Sequence, residues 1–437
     1  MAAPFTSELA ETLAGDVEQR LVRYARIATT SDRENTQSPS TPGQLDLSSL
    51  LEAELRELGL DDVRLDDDGY VYATLPATVD GEVPTIGLIA HVDTSPDAPG
   101  DGVEPIVHRG YDGGPLALPR SGTVLDPERM PELARAVGHD IVTSSGDTLL
   151  GADDKAGVAE IMAAVAYLAA HPELPRPTLR VGFTPDEEIG RGAERFDLER
   201  FDALCAYTLD GSDLGEMQDE TFTAAEARIV IEGVDAHPGF AYGRLVNAAR
   251  LAARIVAELP SATLTPETTR GREGFIHVHE IQATSPRAEI RAIVRDFDDD
   301  NLAEHIDLLR RTTDSVLAEE PRARVLFDVV QQYPNMRRFL DEFPAASAAA
   351  EAAIAAEGLT PIRSPIRGGT DGSLLSAKGL PTPNIFTGGH EYHSVREWAS
   401  VPEMAAAAAV IVHLAEVWTR PEFVGARRET HSAAADG

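Results

Sequence analysis

The stretch TIGLIAHVDTSPD (85–97) is an apolar run of strand length that ends in a histidine and two aspartates. A strand whose residues are apolar on both faces is typical of a parallel sheet that is covered on each side. Around it, strand-like runs (179–184 and 203–209) alternate with a helical pattern (157–171). This alternation predicts an α/β fold with a mostly parallel sheet.

The segment 222–332 has a different order of elements. Its patterns predict a βαββαβ unit, which is typical of a two-layer α+β domain with an antiparallel sheet. We therefore expect an inserted domain at 222–332, between the two parts (1–221 and 333–437) of the main domain. The predicted elements are a strand at 225–232, a helix at 245–259, strands at 275–284 and 287–297, a helix at 302–318 and a strand at 324–330.

The composition excludes several classes of partner. The 437 residues carry 38 Lys and Arg against 73 Asp and Glu, a net charge of −35. Such a surface lacks the clustered cations that bind nucleic acid or an anionic membrane. The sequence has no membrane-spanning apolar run and no signal-peptide pattern, and Cys205 is its single cysteine. We expect a cytoplasmic protein with no disulfide bond and a buried thiol at Cys205.

Five clusters of acidic residues or histidine each follow an apolar run. Ligands of open α/β sheets bind beyond the carboxyl ends of the strands, so we expect these clusters to converge. Histidine and carboxylates without thiolates suit zinc, cobalt or manganese. The clusters are AHVDTSPD (90–97), GADDKAG (151–157), TPDEEIG (184–190), YTLDGS (207–212) and GGHEYHSVRE (388–397).

Two of these clusters each contain a pair of side chains, of which one can bind a metal ion and the other can support the ligand or contact a water molecule. His91 and Asp93 lie on one face of an extended segment, so the histidine can bind a metal while the aspartate supports its ring. Glu187 and Glu188 are adjacent, so one can bind metal while the other meets a water molecule. Taken alone, the glutamate pair is equally typical of a solvated acidic turn.

The pair Asp153–Asp154 opens a helical pattern and has two interpretations. Acidic residues at a helix start often serve only to cap it. Lys155, one of only two lysines in the chain, follows directly and favours a specific site.

Taken in order, ten segments resemble the peptidase T family, tripeptide aminopeptidases of the dinuclear-zinc exopeptidase clan. The resemblance extends from about Tyr24 to Trp418 and implies a zinc-exopeptidase-like main domain. The segments are HVDTSPD, LLGADDKAG, TPDEEIG, AYTLDG, HPG, PETTRGREGF, RDFD, PNM, IRGGTDGS and FTGGHEYH.

This resemblance implies two Zn²⁺ ions per subunit in the main domain, with Co²⁺ or Mn²⁺ as possible substitutes. Asp93 would orient a ligand, and Glu187 would be the general base and later the acid. The peptide bond between Asp153 and Asp154 would be cis. The implied metal ligands are His91 and Asp210 for the first ion, Glu188 and His393 for the second, and Asp153 between the two.

The resemblance also bears on the substrate, which would be a short peptide. It implies an oxyanion-stabilising role for His237, although a lone histidine in a turn is usually not functional. Arg295 and Arg367 are our candidates for gripping a peptide carboxylate, with Asn247 as a further hydrogen-bonding residue. Any single arginine is more often part of a surface ion pair. The inserted domain would act as a lid, a dimer surface or both.

His393 rather than His390 matches the ligand position of the family, and we interpret His390 as a residue on the rim of the site. The sequence therefore predicts a cytoplasmic zinc tripeptide aminopeptidase. The alternatives are another amide hydrolase of the clan (a dipeptidase, a carboxypeptidase or an N-acyl amino acid deacylase) and a non-catalytic peptide-binding relative. Two-metal phosphoryl chemistry would require more cations around the site than Lys155.

Overall fold

The computed structural model describes residues 4–426, which fold as two compact units. The described part of the first unit comprises residues 4–219, Met336–Ser364 and residues 370–426. The second comprises Glu220–Asn335 and Pro365–Gly369. The segment Pro365–Gly369 overlaps the start of the motif IRGGTDGS (366–373), and the bounds 222–332 of the insertion stay a prediction.

The helices of the described residues differ widely in length. In chain order they are α1 (Glu8–Tyr24), α2 (Pro42–Glu57), α3 (Pro131–Arg135), α4 (Ala152–Ala170), α5 (Leu198–Phe201), α6 (Ala248–Glu258), α7 (Asp299–Ala318), α8 (Arg337–Glu342), α9 (Ala345–Ala356), α10 (Asp371–Ala377), α11 (Val401–Val417) and α12 (Pro421–Val424). Within residues 4–426, every helix is too short or too polar to span a membrane.

The strands of the described residues form one eight-stranded sheet, two four-stranded sheets and one two-stranded sheet. In chain order they are β1 (Asp61–Leu65), β2 (Val71–Leu75), β3 (Ile86–His91), β4 (Ile106–His108), β5 (Leu116–Ala117), β6 (Val124–Leu125), β7 (Ile141–Thr143), β8 (Leu179–Thr184), β9 (Cys205–Gly211), β10 (Glu216–Gln218), β11 (Thr223–Glu232), β12 (Phe275–Ala283), β13 (Arg287–Asp296), β14 (Arg324–Tyr333), β15 (Ile362–Arg363), β16 (Asn384–Phe386), β17 (Gly389–His390) and β18 (Trp398–Ser400).

The main sheet of the first unit has the strand order β1-β2-β8-β3-β9-β16-β10-β15. Its centre, β8-β3-β9-β16, is parallel, and antiparallel pairs occur toward both edges. The prediction of a mostly parallel sheet is confirmed. In the register of this sheet, His91 at the end of β3 pairs with Thr184 at the end of β8. Residues that follow these two strands therefore leave the sheet at the same edge.

Helix α4 packs against β3 and β9, and α1 and α11 pack against α4. Fourteen residues of α4 are buried, which explains why the apolar residues of this helix do not form a single stripe. The small side chains of this alanine-rich helix allow close packing on every side. The helix begins at Ala152, so its first turn carries the acidic pair Asp153–Asp154.

The second unit contains an antiparallel sheet with the order β12-β13-β11-β14. Helices α6 and α7 pack on this sheet, and the predicted βαββαβ order is confirmed. The apolar core between them includes Ile229, Ile255, Ile290 and Leu309. Strand β14 extends to Tyr333, three residues beyond the prediction, because it pairs with β11 over nearly its whole length.

Candidate functional site

The site is built at the carboxyl edge of the parallel strands in the first unit. His91 ends β3 and Asp210 lies near the end of β9. Glu187 and Glu188 form a short 3-10 turn (Glu187–Ile189) just after β8. The predicted convergence of the clusters is therefore what the topology produces.

Asp153 lies at the centre of this group, between two histidines. Its Oδ1 is 3.0 Å from His91 Nε2, and its Oδ2 is 3.1 Å from His393 Nε2. His393 Nε2 is also 3.0 Å from Glu188 Oε2, and His91 Nε2 is 3.9 Å from Asp210 Oδ1. The five predicted ligands thus form two sets, one around each histidine, with Asp153 shared between them.

The carboxylate of Asp93 is completely buried and contacts two parts of the site. Its Oδ1 is 3.3 Å from His91 Nδ1, on the side of the ring opposite to Asp153. The same carboxylate accepts hydrogen bonds from the backbone N–H groups of Glu187, at 2.9 Å, and Glu188, at 3.2 Å. Asp93 therefore supports the His91 ring and also fixes the turn that carries both glutamates.

The acidic pair at the start of α4 is held by a residue that the sequence interpretation missed. Glu397 is buried and accepts the backbone N–H groups of Leu150 and Gly151, at 2.7 Å each, and of Asp153, at 2.9 Å. The Asp153–Asp154 peptide bond is cis, as the resemblance implied. The one available signal was position, because Glu397 ends the same cluster that contains His393.

The pKa values of the site's carboxyl groups are shifted in different directions. Burial raises the pKa of Glu187 well above its ordinary value, and the nearby Asp210 and Asp371 charges raise it further. Burial likewise raises the pKa of Glu188, to about 7, and that of Asp210. Burial would also raise the pKa of Asp153, but its hydrogen bonds to His393 and His91 outweigh this and lower it. The site thus contains more negative charge than the protein neutralises.

This excess of negative charge fits divalent cations. Glu188 Oε1 and Asp154 Oδ1 are buried and have no hydrogen-bond partner among the described residues. Oxygen and imidazole donors are the ligands that zinc, cobalt and manganese accept. Two groups have donor atoms close enough to share one ion, namely His91 with Asp153 and Glu188, and His91 with Asp154 and Asp210. The residues present are therefore suited to binding metal.

The two groups differ in the aspartates that accompany His91: one contains Asp153, and the other contains Asp154 and Asp210. Asp154 Oδ2 already accepts the backbone N–H of His91 at 3.1 Å, and burial raises the pKa of its carboxyl group. Asp153 instead directs one oxygen to each histidine. This geometry favours Asp153 as the shared ligand and leaves Asp154 to hold the backbone of β3.

Two further buried polar residues border the site. Asp371, within IRGGTDGS, accepts the Thr184 hydroxyl at 2.7 Å, and burial raises the pKa of its carboxyl group to about 6. A side chain at Gly192 would collide with the same carboxylate. Lys155 is buried and donates to the backbone carbonyl of Ile27 at 2.7 Å, and burial lowers its pKa to about 7. Lys155 thus ties the start of α4 to the segment that follows α1.

The interpretation of His390 as a rim residue is wrong. This side chain is only 5% exposed, and its Nε2 lies 2.8 Å from Glu403 Oε2. Its ring stacks on Trp398 with the ring centroids 4.2 Å apart. His390 is therefore a packed residue of the β17–β18 region, because β17 and β18 pair directly and bring the two rings together.

The four predicted substrate-binding residues all lie in the second unit. His237 is exposed and accepts the Gly239 N–H through Nδ1 at 3.1 Å. Asn247 is the N-cap of α6 and accepts the Arg250 N–H at 3.1 Å. A capping role alone accounts for an asparagine at this position.

The two arginines of this group lie close together. Arg295 Nη1 donates to the backbone carbonyl of Arg367 at 3.3 Å. Arg367 donates to the carbonyls of Gly271 and Glu273, at 2.8 Å each, and to the Thr269 hydroxyl at 2.9 Å. The hydrogen-bonding capacity of Arg367 is thus mostly used within its own unit, whereas Arg295 makes a single such bond among the described residues.

Comparisons with known proteins show the family to which the chain belongs. Residues 149–417 match the model of peptidase family M20/M25/M40. The chain is 45% identical to a peptidase T of Bacillus subtilis over 402 residues, which are 92% of this chain and 98% of the relative. It is also 45% identical to a peptidase T of Vibrio parahaemolyticus over 399 residues, or 91% of this chain and 97% of the relative.

Solved structures resemble the fold. An aminopeptidase PepT from Bacillus cereus superposes with a TM-score of 0.71 at 24% identity, covering 93% of this chain and 99% of that one. A tripeptidase from Staphylococcus aureus gives a TM-score of 0.73 at 20% identity, with the same coverage. At these identities the structures support the fold alone.

Proposed function

This chain belongs to the peptidase T branch of peptidase family M20/M25/M40, and we propose that it is an aminopeptidase that releases the N-terminal residue of tripeptides. The observation that carries the proposal is the arrangement around Asp153. Two histidines, two further carboxylates and a neighbouring glutamate converge there at the strand ends. A peptide-binding relative without catalysis would not need the complete set.

We assign two Zn²⁺ ions to this site, with Co²⁺ or Mn²⁺ as substitutes. His91 and Asp210 would hold one ion, Glu188 and His393 the other, and Asp153 would bind both. When bound, such ions supply Lewis acidity toward a peptide carbonyl and make a water molecule more acidic. The unneutralised carboxylates and the unpaired Glu188 Oε1 support this assignment.

Glu187 is the residue that moves the proton. Its Oε2 lies 4.0 Å from His91 Nε2, and its backbone is held by Asp93. The carboxylate takes a proton from water as the water oxygen bonds to the carbonyl carbon. The carbon–nitrogen bond then breaks, and Glu187 returns the proton to the leaving amine. A raised pKa suits this residue because it must bind and release the proton within one cycle.

Four residues of the second unit are our candidates for binding the substrate. We assign the peptide carboxylate first to Arg295, because Arg367 donates to three acceptors of its own unit. His237 is the proposed oxyanion donor, and its exposure supports that role. Asn247 is the weakest of the four, since its side chain caps α6.

Strand β14 supports a proposal that the second unit also forms a homodimer. It lies at one edge of the sheet, and Val325, Leu326, Val329 and Val330 are exposed on it. An exposed apolar edge strand is a favourable site for pairing with a second copy of the chain.

The proposed location is the cytoplasm, which is consistent with the single cysteine, Cys205, being buried and not disulfide-bonded.

The test compares a free tripeptide with its N-acetylated form, its C-terminal amide, and a matched dipeptide and tetrapeptide. The zinc-loaded protein should release only the N-terminal residue, chiefly from the free tripeptide, as identified by mass spectrometry. Glu187→Gln should lower kcat by about 10²–10⁴-fold. Glu194→Gln, an exposed residue of the same loop, is the matched control and should leave kcat unchanged.

Other outcomes would redirect the assignment. Release from the C-terminus, or a preference for the acetylated peptide, would identify a different amide hydrolase of the clan. If two metal ions bind and no peptide is cleaved, the chain is a peptide-binding protein.

A further inference from the structure

The polar stretch SDRENTQSPSTPGQ (31–44) lies before β1 and has the composition of a surface loop. Ser40 and Gln44 in this stretch are nevertheless buried, since they are 2% and 0% exposed. Burying polar side chains is unfavourable unless they are hydrogen-bonded, so their partners indicate what the segment does.

Their shared partner is Asp186, the residue directly before Glu187. Asp186 Oδ2 accepts the Ser40 N–H at 2.7 Å, and its Oδ1 accepts both the Ser40 hydroxyl and the Gln44 amide, the latter at 2.7 Å. In return, the backbone N–H of Asp186 donates to Gln44 Oε1 at 3.0 Å. Side chain and backbone of Asp186 are thus both held by one short segment.

The backbone of Asp186 also has an unusual conformation. Its φ is 59°, in the left-handed region, at the point where the chain turns from β8 into the Glu187–Ile189 turn. This conformation is costly for most residues and is best tolerated by glycine, asparagine and aspartate. The hydrogen bonds from Gln44 and Ser40 hold the chain in the conformation that directs Glu187 and Glu188 into the site.

The same segment contacts the other strand end. Thr94 follows His91 and Asp93, and its N–H donates to Thr29 O at 3.2 Å. The Ser31 N–H donates to Thr94 O at 3.1 Å. Residues 29–44, which we call the anchor segment, therefore hold both the loop that follows His91 and Asp93 and the turn that carries Glu187 and Glu188.

We propose that Asp186, Ser40 and Gln44 are positioning residues of the peptidase reaction, which set the place of Glu187 and Glu188. This inference rests on the proposed function, because it is there that Glu187 acts as base and Glu188 as ligand. The three residues act through the turn that they hold. A displacement of about 1 Å in a catalytic group can lower a rate about 10²-fold, so such support is expected to matter for turnover.

An exchange of partners tests this directly. Asp186→Asn places an amide opposite the amide of Gln44, and Gln44→Glu places a carboxylate opposite that of Asp186. Each single variant therefore breaks the pair while conserving size. The double variant exchanges amide and carboxylate and restores the pair, and the Ser40 hydroxyl can then accept rather than donate.

The matched control is Ser48→Ala in the same helix, α2. Ser48 is 0% exposed and donates to the Gly69 carbonyl at 3.0 Å, so the substitution removes a buried hydrogen bond away from Asp186. It reports what general destabilisation of this region does to activity.

Three quantities are measured: kcat and KM for the tripeptide, Zn²⁺ affinity of the metal-free protein by chelator competition, and the unfolding temperature. We expect each single variant to lower kcat about 10- to 100-fold with KM changed less than about threefold. Zn²⁺ affinity should fall as well, because Glu188 shares the turn. The double variant should recover most of both, and Ser48→Ala should keep the wild-type kcat.

The inference is overturned if the single variants keep the wild-type kcat and Zn²⁺ affinity, or if the double variant restores neither quantity. It is also overturned if Ser48→Ala lowers the unfolding temperature as much as the single variants do and loses as much kcat. Failure of the proposed function is a separate result, in which the wild-type protein does not release the N-terminal residue. The Zn²⁺ affinities of the wild type, the two single variants and the double variant then decide the positioning role without reference to turnover.

Discussion

On the sheet of the second unit, Glu289 lies among three arginines and accepts hydrogen bonds from Arg228, at 2.7 and 3.1 Å, from Arg287, at 2.7 Å, and from Arg291, at 3.4 Å. Arg228 and Arg287 lower the pKa of Glu289 to about 2. In the first unit, by contrast, the charged partners of Asp153, Glu188 and Asp210 within 4.0 Å are histidines, among the described residues.

The difference shows how a binding site can be distinguished from a surface rich in ion pairs. The second-unit carboxylate is neutralised by the protein itself, so it has no need of a ligand. The strand-end carboxylates are at most 17% exposed and their pKa values are mostly raised, which means that the fold holds their charged forms at a cost. An external cation would remove that cost, and it is this imbalance that identifies the site.

The largest expected effect is that of metal removal. Chelation should abolish peptidase activity and lower the unfolding temperature, since a ligand at about 1,000 times its Kd stabilises a fold by about 4 kcal/mol. Thermal unfolding with chelator, and again after Zn²⁺ is restored, measures the change. The variant Asp153→Ala should lose most of this response. An unfolding temperature that stays constant while the metal is removed would contradict the contrast between the two units.

Much of this contrast could be predicted from the sequence, because the five clusters of acidic residues or histidine follow apolar runs. Strand direction alone brings His91, Glu188 and Asp210 to one edge of the sheet. The βαββαβ order of the second unit was equally visible, since its helices and strands have regular patterns of apolar residues. Local periodicity and parallel topology suffice for these features.

The supporting residues could not be predicted in this way. Glu397 holds Gly151 across 246 positions of the chain, and Gln44 holds Asp186 across 142. Nothing in a polar loop indicates which distant backbone groups it will bond. His390 was misassigned for the same reason, because its partner Trp398 is brought to it by strand pairing.

Glu160 offers an intermediate test, since it is a buried carboxyl group in the first unit that is not among the proposed ligands. It is 0% exposed, neither oxygen has a hydrogen-bond partner among the described residues, and burial raises its pKa well above 4.5. Above that pH the folded chain keeps a proton that the unfolded chain has released, so stability falls as the pH rises toward the folded pKa. The slope is at most about 1.4 kcal/mol per pH unit.

Glu160→Gln cannot titrate, so its stability relative to the wild type should increase as the pH is raised from about 5 toward the folded pKa of Glu160. Chemical denaturation at several pH values measures this difference. Glu173→Gln, an exposed residue beyond the end of α4, is the control and should show no such trend. A constant difference between Glu160→Gln and the wild type would mean that the carboxyl group at 160 is ionised in the folded protein.

The smallest effect is expected on the second-unit side of the comparison. Glu289→Gln removes the charge that three arginines share, but those arginines are exposed, with 41%, 51% and 42% of their side chains accessible. Ion pairs of this kind contribute about 0–1 kcal/mol, and salt screens them. Denaturation at low and high salt should therefore show a loss of less than about 1 kcal/mol that shrinks as salt is added. The kcat for the tripeptide should stay at the wild-type value. A large loss of turnover in Glu289→Gln would mean that this ion pair is coupled to the reaction, and the distinction between neutralised and unneutralised carboxylates would then fail as a guide to the site.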